Sequence, residues 1–182
     1  MVRLIYRGVG LEREGLGFKI AAGGSSLCID AVGCSYAVFT HSHHYVQGAA
    51  GYGPVEGLKP IDGELLLGPF RVKPIPAYNI TKRIGGSAPH PKGSGYGYLV
   101  EAAGVKIYVA GDTDLTPEVV SVKRPDIFAV PIGGGSVMTP EEAADAVMSV
   151  KPAIAVPYHF SDRRQYARFR DIAQPYAQIV LL

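Results

Sequence analysis

Two uninterrupted apolar segments, DIFAVPI (126–132) and AIAVPYH (153–159), each sit beside a helical pattern, and this order constrains the fold more than any other feature. It is βα alternation, the mark of an α/β domain. The helix between them is announced at Thr139, Pro140 and Glu142. A threonine N-cap, a proline in the first helical position and a glutamate three residues after the cap form a capping box. Ala143, Ala146, Val147 and Val150 then give that helix one apolar face. A second helix is predicted from Ser161 or Asp162, burying Tyr166, Phe169 and Ala173 and ending before Pro175, and AQIVLL reads as a closing strand.

The first half is punctuated differently. VRLIYRG, GFKIAAGG, SLCIDAV and YAVFTHSH read as short strands separated by glycine. Residues 48–57 are too rich in glycine and proline for a regular element. GELLLG and FRVKPIP predict two more strands, and residues 95–111 a hairpin turning near Ala103 and Gly104. With no internal repeat and no linker, residues 1–182 read as a single domain. The 47% hydrophobic and 19% charged content is that of a globular chain. A net charge of +2 supplies no global field for nucleic acid or an anionic membrane. The opening apolar run is too short for a signal-peptide core or a membrane span, which predicts a cytoplasmic protein. Cys28 and Cys34 read as buried free thiols, with a bridge left open for a hyperthermophilic source.

Four of the five histidines and one aspartate stand at loop or strand-end positions. His41 and His43 follow YAVFT, and two residues two apart in an extended segment point to one side and can share an ion. Taken alone, such a pair is equally a polar surface loop. His90 in APHPKG, Asp112 in AGDTD and His159 in VPYHF extend the set, and only His44 is left over. Gly133, Gly134 and Gly135 lack a phosphate-loop lysine and read as a close turn beside the site. Lys82, Arg83 and Lys92 flank His90 and read either as solvated loop charges or as anion holders.

The ordered series HxH, histidine, GDTD and PxH resembles the metallo-β-lactamase fold superfamily, from about Gly17 to Phe160. The stretch from His90 to Val147 is similar to its small metal-dependent hydrolases, a group that includes L-ascorbate-6-phosphate lactonase. The resemblance implies an αββα sandwich of two mixed sheets with helices on the outer faces. It assigns His41, His43 and His90 to a first metal, Asp112 to a bridging position, His159 to a second metal, and Asp30 to bracing the metal-binding loop.

One departure is plain. Where the family reads HxHxDH this chain reads HSHHYV, so Tyr45 and Val46 replace two ligands of the second metal. His44 is a candidate substitute ligand, although it is adjacent to His43 and neighbours in an extended chain point to opposite sides. The resulting expectation is one ion per chain, Zn²⁺ or else Mn²⁺ or Fe²⁺, held by three imidazoles and a water. The implied activity is hydrolysis of an ester, lactone, amide or phosphoester of a small molecule by metal-bound hydroxide. Asp112 or His159 would orient or deprotonate the water, and Tyr45 would donate to the developing oxyanion. The main alternative, which the eroded motif allows, is a non-catalytic member that binds a ligand or partner, with a structural metal or none. A nuclease ranks third, because nuclease relatives carry an extra domain. Oligomeric state is open.

Overall fold

The computed structural model describes residues 2–182 and contains two mixed β-sheets. The first has five strands side by side in chain order: β1 (Arg3–Tyr6), β2 (Val9–Glu14), β3 (Gly17–Ala22), β4 (Ser25–Ile29) and β5 (Tyr36–Val38). The second has seven, also in chain order: β6 (Leu65–Leu67), β7 (Phe70–Pro76), β8 (Tyr96–Ala102), β9 (Val105–Val109), β10 (Ile127–Pro131), β11 (Ile154–Tyr158) and β12 (Gln178–Ile179). Antiparallel pairing joins β1 to β4 and β6 to β9; parallel pairing joins β4 to β5 and β9 to β12. The β8–β9 hairpin turns at Ala103 and Gly104, both at positive φ, as a two-residue primed turn requires.

Alternation within the strands dictates how the layers stack. Val9, Leu11, Phe18, Ile20, Leu27 and Ile29 of the small sheet meet Val72, Tyr98, Ile107, Val109, Ile127 and Val156 of the large one in a shared core. On the other face of the large sheet, Tyr108, Phe128, Val130 and Ala155 pack on the helices. These are α1 (Pro117–Ser121), α2 (Pro140–Val150) and α3 (Arg163–Ala173). Hence β10 and β11 are buried at every position, as the apolar runs of parallel strands require. The helical layer is one-sided among the described residues: the outward positions of β2 and β3 include Glu12 and Lys19, which suit water rather than a helix. No helix is long and apolar enough to cross a membrane.

Local signals set the helix boundaries. The Thr139–Glu142 capping box opens α2, and a second box, Asp162 with Gln165, opens α3. The short helix α1, with Thr116 as its cap, has no counterpart in the sequence reading, and AQIVLL pairs only at Gln178–Ile179.

The two cysteines are not free thiols. Cys28 and Cys34 form a disulfide with Cα atoms 5.6 Å apart. The chain reverses between them, with Asp30 at φ 53° and Gly33 at φ 86°, and this return brings the thiols together. Closing so short a loop restricts the unfolded chain, so Cys34→Ser should cost about 2 kcal/mol of unfolding free energy in a denaturant titration. An unchanged midpoint would show that the bridge does not constrain the chain.

Candidate metal centre

The candidate ligands all lie in segments that follow strands. His41, His43 and His44 follow β5, His90 lies in the connection after β7, Asp112 follows β9 and His159 follows β11. Parallel pairing puts the ends of β9, β10 and β11 at one edge of the large sheet. The small sheet is tied to that edge by Tyr96 N donating to Thr40 O at 2.9 Å and Tyr98 Oη donating to Phe39 O at 2.6 Å. There one groove of about 340 Å³ is lined by all five histidines and Asp112.

The Asp112 carboxylate is the centre of the group. Its Oδ2 lies 3.2 Å from His159 Nε2, 3.6 Å from His90 Nε2 and 3.7 Å from His41 Nε2. The rings of His41, His43 and His90 are 4.8 to 6.0 Å apart, centroid to centroid, and can offer three nitrogens to one ion.

Three of the rings are oriented from outside. Thr40 Oγ1 donates to Asp30 Oδ2 at 2.7 Å and so accepts from His41 Nδ1–H at 2.8 Å. His44 Nδ1–H donates to Asp30 Oδ2 at 3.0 Å. His90 Nδ1–H donates to Asn79 Oδ1 at 3.0 Å. Each such bond fixes the tautomer with its lone pair on Nε2, as metal-ligating histidines require. Asn79 is held in turn by donating to Asp114 Oδ1 and to Ser136 O. Asp114 Oδ2 gathers the backbone N–H groups of Ile80, Thr81 and Lys82. Asn79 and Asp114 were not singled out from the sequence; the second aspartate of GDTD was the available signal.

His44 corrects the extended-chain expectation. Residues Ser42–His44 form a 3₁₀ turn, which rotates the His44 ring inward to 4.2 Å from His41 and 5.9 Å from His159. His44, His41 and Asp112 thus form a second group able to share an ion. Tyr45 donates its hydroxyl to Ala49 O at 3.3 Å and packs edge-on to Phe39. Val46 is exposed.

Two site residues carry left-handed backbone, Asp30 at φ 53° and His159 at φ 54°. Non-glycine residues rarely hold that conformation unless their surroundings impose it. Beside His159, a Cβ on Gly133 would stand 2.2 Å from the His159 carbonyl oxygen. The first of the three glycines is therefore a close-approach residue for the site, as the sequence suggested. The flanking cations are occupied elsewhere: Lys82 with Glu142 and Asp114, Arg83 with two backbone carbonyls, Lys92 with Glu118.

A family model described as a beta-lactamase superfamily domain matches residues 17–159. The chain belongs to this superfamily. It is 30% identical over 139 residues to a UPF0173 metal-dependent hydrolase from Thermococcus onnurineus, an alignment covering 72% of this chain and 56% of that protein. The chain spans about half the length of the curated relatives it matches. Among solved structures it resembles Igni18, a metallo hydrolase of Ignicoccus hospitalis, with a TM-score of 0.72, 18% identity and coverage of 96% and 94%. It also resembles CmlA, a diiron β-hydroxylase of Streptomyces venezuelae, with a TM-score of 0.72, 11% identity and coverage of 98% and 53%. At these identities the structural likeness concerns the superfamily fold alone, which serves more than one chemistry.

Whether the residues suit a metal can be tested on two atoms. His41 Nε2 and Asp112 Oδ1 are buried and have no hydrogen-bond partner, an arrangement a cation would relieve. Burial pushes the His41 pKa down to about 4 and also lowers that of His90, which keeps both rings in the neutral, ligating form. The His159–Asp112 hydrogen bond raises the His159 pKa. Burial pushes the Asp112 carboxyl up, but His159 and the other imidazoles outweigh it and leave the pKa below the ordinary value. Because the unfolded chain binds protons at His41 and His90 that the folded chain refuses, these two residues destabilise the fold as pH drops from about 6.5 towards 4. In chelator-treated protein, NMR should show His41 titrating near pH 4 and His159 above 6.5. A His41 ring titrating at its ordinary value would contradict the buried geometry.

Proposed function

We propose that the chain is a metal-dependent hydrolase acting on a small-molecule ester, lactone, amide or phosphoester, with its principal ion held by His41, His43 and His90. One observation carries this reading: buried imidazoles, with His41 and His90 oriented through their Nδ1 atoms, converge on one space beside an orphaned His41 Nε2 and Asp112 Oδ1. The ion, Zn²⁺ or else Mn²⁺ or Fe²⁺, would supply a water ionised near neutral pH and polarise the scissile oxygen. Asp112 stays a carboxylate in this setting and would orient that water and take its proton. His159 has a side chain 28% exposed and would pass protons between Asp112 and solvent. For Tyr45 to donate to an oxyanion, its hydroxyl must leave Ala49 O.

A second reading rests on the position of His44. With Nδ1 bonded to Asp30, its Nε2 would join Asp112, with which it forms a candidate group beside His41, at a second ion. His159, 5.9 Å away ring to ring, would add a further ligand to that ion, so a histidine from another position would restore part of what Tyr45 and Val46 removed. Elemental analysis of protein purified without chelator decides between the two. One ion per chain, lost in a folded His90→Ala variant, is expected on the first reading. Two ions per chain, one of them lost in His44→Ala, would establish the second. Full metal retention in His90→Ala would exclude the three-histidine site. Metal-loaded protein with no turnover of ester, lactone, thioester or phosphodiester substrates would favour a non-catalytic binding role.

A further inference from the structure

Arg13 stands where an apolar residue is expected. Side chains two apart on β2 share a face, and Val9, Leu11 and Arg13 form the row directed into the core between the sheets. The guanidinium carbon lies 5.0 Å above the Phe18 ring and 5.0 Å above the Tyr158 ring, which meet each other edge to face. Nε donates to Gly15 O at 2.8 Å, so the head is held by one hydrogen bond as well as by the two rings. Nη1 is buried and has no hydrogen-bond partner. Among the described residues no carboxylate pairs with it: Asp30, the acid whose field reaches it, is already used by Thr40 and His44.

This cation opens on a groove of about 360 Å³ beside the Leu16 turn, Gly133 and the segment His159–Ser161. Leu16 and His159 also line the histidine groove, so the two grooves are neighbours. Lys82, Arg83 and Lys92, the cations nearest His90 in sequence, do not line this groove; Arg13 does, and it carries a buried donor without a partner.

We propose that Arg13 anchors an anionic group of the ligand, a carboxylate or a phosphate monoester, and holds it one residue's breadth from the metal centre, across His159. A planar guanidinium fork matches both oxyanions, and a head already held by two rings and a backbone hydrogen bond loses little freedom on binding. The substrate class that follows is a small molecule bearing an acid group remote from its hydrolysable bond. The substrate role rests on the hydrolase reading; anion binding at Arg13 does not.

The test uses inorganic phosphate, with acetate in parallel, titrated into metal-loaded protein while the Arg13 Nε–H and histidine ring resonances are followed by NMR. The Arg13 resonance is expected to shift saturably with at least one of the two anions, and the one that binds identifies the group. Arg13→Gln should weaken that binding by about tenfold or more, with Arg13→Lys intermediate because it keeps the charge and loses the fork. Metal content should be unchanged in both variants. Anions that move only the histidine resonances, or that bind wild type and Arg13→Gln equally, would overturn the proposal. The wild-type titration needs no variant to fold, and it reads binding even where no hydrolysis is found.

Discussion

The Asp30 carboxylate holds the candidate site together. One oxygen accepts the backbone N–H of Thr40, and the other accepts the Thr40 hydroxyl and His44 Nδ1. Through Thr40 it sets the His41 tautomer, and through His44 it draws the 3₁₀ turn against the end of β4. Asp30 itself sits in the left-handed region inside the loop closed by Cys28 and Cys34. Charge-assisted bonds of this kind are stronger than neutral ones, and they offset the conformational cost at that residue.

A second brace acts from the opposite side. Asn79 and Asp114 organise the long connection after β7, and His90 is delivered from that connection to face His41 across Asp112. Each loop is fixed by a buried carboxylate that collects donors, so the imidazoles are positioned before any ion arrives. Preorganisation matters because a metal bound by mobile loops would have to supply their ordering free energy from its own affinity.

Much of this was legible in the sequence. Apolar runs beside a capping box gave the parallel strands and α2, and scarce histidines at strand ends gave the ring of candidate ligands, because strand ends of a parallel sheet converge at one edge. Adjacency to His43 does not exclude His44, because alternation belongs to an extended chain, and this segment is a 3₁₀ turn whose His44 ring is bonded to Asp30. The disulfide stays an open alternative in the sequence for a related reason: a separation of six says nothing until the chain is known to reverse at Asp30. Arg13 was visible as a charge in the Val9, Leu11 row, but without the rings of Phe18 and Tyr158 its isolation could not be seen. The one-sided helical layer follows from polar outward positions on the small sheet, which the sequence carried in the alternation of β2 and β3.

The central claim is that histidines from two separate loops converge to ligate a metal ion. X-ray absorption at the metal edge of the loaded protein tests it most directly. Three imidazole nitrogens at about 2.0 to 2.1 Å from a zinc ion, with no sulfur scatterer, are the expected shell. A shell of oxygen atoms alone, or one containing a single imidazole, would contradict the account.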